Sequence, residues 1–116
     1  MKLIIAGSRS ITYYPTVSYH IERFSWYSAI TEIVSGTASG VDTLGERYAT
    51  EHNIPIKQFP ADWTMYGKSA GIRRNEIMGD YADRLLLFWD GQSPGSRHMM
   101  MYMAKIKKPF NVIMVK

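Results

Sequence analysis

Four short stretches carry residue types suited to gripping a negatively charged ligand. Gly7, Ser8 and Arg9 follow the apolar run at the N-terminus, and residues 35–42 read SGTASGVD, with Gly36, Ser39, Gly40 and Asp42. Residues 61–76 read ADWTMYGKSAGIRRNE and carry Arg73, while residues 90–97 read DGQSPGSR, with Gly91, Gly95, Ser96 and Arg97. Glycine lets a backbone approach a ligand closely, and serine supplies a hydroxyl. Arg9, Arg73 and Arg97 offer planar forks of donors that match a phosphate. The last three stretches each open a helix by the pattern that follows them. A helix N-terminus presents free N–H groups and partial positive charge. One exposed helix end contributes only about 0.3–1 kcal/mol toward an anion. A phosphate site here therefore needs two helix ends and at least one arginine.

Two carboxylates stand in these stretches. Asp42 falls in the first turn of its helix, where it either complements the helix dipole or accepts a hydrogen bond from a ribose hydroxyl. Glu76 is either a general acid/base or an exposed helix charge. Other motifs are incomplete. Gly67-Lys68-Ser69 matches the end of GxxxxGK[ST], but Asp62 stands where the first glycine belongs, and the segment is a long loop. Gly36 and Gly40 are spaced GxxxG, so there is no GxGxxG, and no GxSxG elbow occurs either.

The elements that must position these residues follow from the apolar pattern. Residues 2–6 (KLIIA) read as a buried strand. Val17, Ile21, Phe24 and Ser28 recur at helical spacing after Pro15. A short strand at 32–34 is followed by a helix over 41–52, with Leu44, Tyr48 and Ala49 on one face. Residues 54–59 form a third strand, which Pro55 and Pro60 assign to a sheet edge. A loop over 61–71 leads to a helix near 72–81, then a strand at 84–89, a Met-rich helix over 96–107 and a strand at 110–115. The first and last strands read as continuous apolar runs, as buried parallel strands should. Five strands with four helix-length connections predict an α/β fold: a single Rossmann-like domain over residues 1–116. Its parallel sheet is doubly wound, has helices on both faces and runs in strand order 3-2-1-4-5. All strand C-termini then point to one edge, where the four stretches gather.

Composition narrows the function classes. The chain has 116 residues, 46% hydrophobic and 21% charged, which is one globular domain. Fourteen basic against ten acidic residues leave +4, enough for a phosphate-bearing ligand but thin for a nucleic-acid binder. The densest basic group, Lys105, Lys107 and Lys108, reads as a solvated helix end. There is no Cys, and His20, His52 and His98 lack zinc-motif spacing, so neither a metal nor a cofactor is expected. The longest apolar runs, 85–89 and 99–104, fall far short of the roughly 20 residues that span a bilayer. The N-terminal run is too short for a signal-peptide core of about 7–15 residues, so a cytoplasmic location is expected, with no membrane partner. Aromatic residues crowd the first loop and helix (Tyr13, Tyr14, Tyr19, Trp26, Tyr27), and Tyr13 or Tyr14 could stack on a base. These aromatics and the run Met99, Met100, Met101 and Met103 suggest a homo-oligomer, a dimer or larger.

GSRS at the end of the first strand, SGTASGVD, and above all ADWTMYGKSAGIRRNEIM (61–78) resemble the small standalone SLOG proteins of the YspA, cpYpsA-related group. That group is kin to LOG phosphoribohydrolases and to the Smf/DprA Rossmann-like fold. The resemblance runs nearly end to end. It implies loops that hold nucleotides or nucleotide-derived molecules. By position, the ligand loops would be Gly7, Ser8 and Arg9; Gly36, Ser39, Gly40 and Asp42; Arg73, Arg74 and Asn75; and Gly91, Gly95 and Ser96. Two departures stand out. Relatives place Trp shortly after GSR, where this chain has Ile11. LOG enzymes carry PGGxGTxxE, where Gly-Thr meets phosphate and Glu aids glycosidic cleavage. Here Gly95-Ser96 stands in for Gly-Thr and no Glu follows, which favours phosphate binding over hydrolysis.

Three functions are therefore in view. The first is a binding protein for a nucleotide-derived small molecule, such as an ADP-ribose-like or cyclic nucleotide signal. It would sense or sequester that molecule; SLOG domains resembling this one are sensors in bacterial defence, and a phage-encoded chain would act in the host cytoplasm. The second is an enzyme cleaving an N-glycosidic bond of a nucleotide, for which Asp42 and Glu76 are the candidate carboxylates. The third is a DprA-like single-stranded DNA binder, against which the scattered basic residues argue.

Overall fold

Alternation of apolar side chains along two central strands organises the molecule. The computed structural model describes residues 1–115; Lys116, the last residue of the expected domain, lies outside the described residues. Strand β1 (Lys2–Gly7) and strand β4 (Arg84–Trp89) lie side by side and are buried on both faces. Leu3, Ile5, Leu86 and Phe88 point to one face, and Ile4, Ala6, Leu85 and Leu87 to the other. Each face needs its own cover, because a strand with period-two alternation cannot hide both sets against one layer.

The covers come from the helices between strands. Helix α1 (Tyr14–Ile21) and helix α2 (Val41–Glu51) pack Val17, Ile21, Leu44, Tyr48 and Ala49 on the first face. Helix α4 (Ala70–Tyr81) and helix α5 (Pro94–Lys105) pack Met78, Met99 and Met103 on the second. With strands β2 (Glu32–Ser35), β3 (Ile56–Gln58) and β5 (Phe110–Met114), the sheet is all parallel in the order β3-β2-β1-β4-β5. This is the expected α/β, Rossmann-like arrangement. No helix among the described residues is long and apolar enough to cross a membrane.

Several boundaries differ from the sequence pattern. The first helix stops at Ile21 rather than running to Ser28. Phe24 and Trp26 stack in parallel with centroids 4.7 Å apart, a contact between residues i and i+2 that a helix cannot make. Strand β5 is half-buried rather than fully buried, because the strand order leaves it at an edge. Strand β3 keeps only three residues, all exposed, at the opposite edge. The loop after β3 contains a one-turn helix, α3 (Trp63–Tyr66), capped by Asp62, whose carboxylate accepts from the Met65 N–H at 2.9 Å. Lys108 is half-buried rather than solvated. Its ammonium donates to the carbonyls of Gly79, Asp80 and Ala82 at 2.8–2.9 Å, closing the C-terminus of α4.

Candidate functional site

A cleft of about 690 Å³ opens where β1 and β4 end, between the N-terminal ends of α2 and α5 and the wall of α4. Two loops are clamped together at its base. The Ser8 N–H donates to the Phe88 carbonyl at 3.0 Å, and the Ser8 hydroxyl accepts from the Asp90 N–H at 3.0 Å. Gly40, with φ of 76°, lies so close that a Cβ there would sit 2.6 Å from the Arg9 backbone. Ser8 and Gly40 thus shape the cleft floor without lining it. Gly7, Arg9 and Asp42 do line it.

Asp42 is only 4% exposed, and its carboxylate accepts from the Ala38 N–H at 3.2 Å. Burial pushes its carboxyl up to about 6, against the pull of that N–H and of Arg74 and Arg9. Arg74 reaches across from α4. Its guanidinium donates to the Gly36 carbonyl and, through Nε, to Asn75 Oδ1 at 3.1 Å. Burial pulls the guanidinium below its ordinary value, and the Asp42 charge opposes that shift. Gly36 separates the two charged groups. A Cβ on it would stand 2.7 Å from Arg74 Nη1 and 2.8 Å from Asp42 Oδ2.

Asn75 links the far wall to the near one. Its amide nitrogen donates to the Gly95 carbonyl at 3.2 Å and lies 3.3 Å from His98 Nδ1. His98 Nε2 is 3.8 Å from a Glu76 carboxylate oxygen. At the start of α5, the Asp90 carboxylate accepts from the N–H groups of Gln92 and Ser93 at 2.8 and 2.9 Å. Those bonds hold its carboxyl below the ordinary range. Asp90 thus places a fixed negative charge in the turn that opens α5.

The cleft therefore gathers Gly7, Arg9, Asp42, Arg74, Asn75, Gly95 and Ser96 of the expected residues. Gly36 and Ser39 line an adjoining smaller cavity. Besides Ser8 and Gly40, four of the expected residues lie outside both linings. Arg73 is exposed on α4, its guanidinium 4.5 Å from the Tyr66 ring centre. Arg97 and Gly91 are exposed, and Glu76 faces His98.

A family profile described as the YspA, cpYpsA-related SLOG family matches residues 1–66. The chain belongs to this family. It is also similar to Gene 61 protein of Mycobacterium phage D29, with 33% identity over 109 residues, covering 85% of each chain. No solved structure matches it.

In this SLOG chain, the profile match spans the β1 and β2 loops and α3, whereas α4 and α5 lie beyond it. Sequence reasoning omitted Trp63, Lys68, Ser93 and His98 from the site, and all four line the cleft. Trp63 is 54% exposed at the mouth and lines both cavities. An N-cap reading of Asp62 would have placed the one-turn helix α3 inside the 61–71 loop and drawn attention to Trp63.

Proposed function

We propose that the chain binds a nucleotide-derived small molecule, with phosphate at Arg9 and Arg74 and a ribose hydroxyl at Asp42. The observation that carries this reading is the placement of Arg74 and Asp42 on either side of Gly36 in an open cleft. Burying opposite charges is costly, and a site that needs both a donor fork and an acceptor gives that cost a purpose. Membership of the SLOG family supports a nucleotide-related ligand. Similarity to a phage protein fits a phage-encoded chain, for which the reading is sequestering or sensing such a molecule in the host cytoplasm. Exposed Tyr13, Tyr19, Tyr27 and Met101 support self-association through the region of the first helix and through α5. The test of binding is calorimetric titration with nucleoside mono- and diphosphates. At least one should bind, and Arg74→Ala should weaken it tenfold or more. Failure of every nucleotide to bind overturns the reading.

The position of Asp42, a buried carboxyl that titrates near 6 in the cleft, favours a second reading, cleavage of an N-glycosidic bond. Incubation with nucleoside monophosphates and NAD separates the two. Free base released by wild type, and not by Asp42→Asn, supports the enzyme; intact nucleotide supports the binder.

A further inference from the structure

We infer that Glu46, which lines neither cavity, is a positioning residue for the binding loop. It holds the turn at Thr37, which sets the Gly36 carbonyl against Arg74 and the Ala38 N–H against Asp42. Its effect on binding rests on the reading that this edge of the sheet holds a nucleotide. Thr37 has a φ of 63°. A β-branched residue is strained in that left-handed region, so neighbouring contacts must hold it there.

The contacts come from three elements. Ser35 ends β2 and is buried, and its register partner on β3 is Gln58. Glu46 comes from α2 and is half-buried. The Ser35 hydroxyl donates to Glu46 Oε2 at 2.6 Å, and the Gln58 amide donates to both carboxylate oxygens at 3.1 and 3.2 Å. An ionised carboxylate only accepts. The single Ser35 hydroxyl proton is therefore committed to Glu46, and the hydroxyl oxygen is left to accept from the Thr37 N–H at 3.1 Å. That bond closes the turn. Gly36, inside it, presents its carbonyl to Arg74, and Ala38, just after it, presents its N–H to Asp42 at 3.2 Å. Asp42 and Glu46 stand four residues apart on α2, a spacing at which like charges repel. The brace accounts for a second carboxylate so close to Asp42.

The test reads amide hydrogen exchange on the ligand-free chain, then calorimetry with AMP, ADP, GMP and GDP. Glu46→Ala should speed exchange at Thr37 and Ala38 at least tenfold and leave the β1 amides unchanged, which establishes that the variant is folded. It should also weaken whichever of these nucleotides bind by at least fivefold. Glu46→Gln keeps an acceptor for Ser35 and should stay within threefold of wild type in both readouts. Adding Thr37→Gly to Glu46→Ala should restore affinity to within threefold, because glycine adopts the left-handed turn without strain. Unchanged exchange in Glu46→Ala overturns the inference. So does unchanged affinity, or a lost affinity that Thr37→Gly does not restore, which places the effect in α2 instead. If none of the four nucleotides binds, the nucleotide reading fails, and the exchange rates alone decide whether Glu46 holds the turn.

Discussion

Arg74 donates from its guanidinium to the carbonyl of Gly36, 38 positions earlier in the chain, and so ties helix α4 to the loop after β2. The contact exists because residue 36 has no side chain. Gly36→Ala places a methyl group against Arg74 and Asp42 at under 3 Å. One of them must shift. The expected result is a loss of about 1–3 kcal/mol of stability, the scale of overpacking, together with at least tenfold weaker nucleotide binding. Urea unfolding and titration calorimetry check the two effects.

Asp42 makes stability depend on pH in a direction opposite to that of a salt-bridged acid. Its carboxyl titrates near 6 when folded, against an ordinary value of 3.8. The folded chain holds this proton more tightly, so stability falls as pH rises from about 4 to about 6. The difference of about two pKa units corresponds to about 3 kcal/mol. Asp42→Asn removes the titration and keeps an acceptor for the Ala38 N–H. Unfolding curves of the two proteins should diverge across that window, with the Asn variant more stable above it. Parallel curves would contradict the assignment.

The neighbouring arginines should separate cleanly. Arg73 lies outside both cavities, with its guanidinium over Tyr66 and its Nε 3.3 Å from the Ser69 hydroxyl. Arg73→Ala should leave nucleotide affinity within about twofold, and Arg74→Ala should lower it by about 1.5–3 kcal/mol, as for hydrogen bonds to charged groups. Calorimetry on the two variants side by side decides this. Equal effects would place the anion on the outer face of α4.

Lys108 should matter to folding although it lines neither cavity. Its three bonds to the end of α4 replace water on carbonyls that the helix cannot satisfy itself. Lys108→Met keeps the aliphatic stem and removes the donors. A loss of about 1–2 kcal/mol in urea unfolding is expected, with nucleotide affinity unchanged.

The sequence made the sheet legible because β1 and β4 are uninterrupted apolar runs and the connections are long enough for helices. The strand order 3-2-1-4-5 was a guess that no residue of the chain dictates, and the structure has that order. Helix ends were less legible. The Phe24–Trp26 stack overrides a helical spacing that runs past Ile21, and no local signal announces a ring contact of that kind. At the site, the small-residue loops marked the right edge of the sheet. Which arginine faces inward could not be read from adjacent positions. Arg73 and Arg74 differ by about 100° around α4, and only the packing of that helix decides which one meets Gly36. His98 was hidden for a similar reason. Its place in the cleft depends on Asn75, 23 positions away.

Asn75 braces Arg74 on one side while the Gly36 carbonyl anchors it on the other. The guanidinium is thus immobilised before any guest arrives. A free arginine would forfeit roughly 2 kcal/mol of rotamer freedom on capturing an anion, and here that freedom is surrendered during folding instead. Recognition at this edge should therefore resemble a key entering a rigid lock, with fast capture and little reordering of the host.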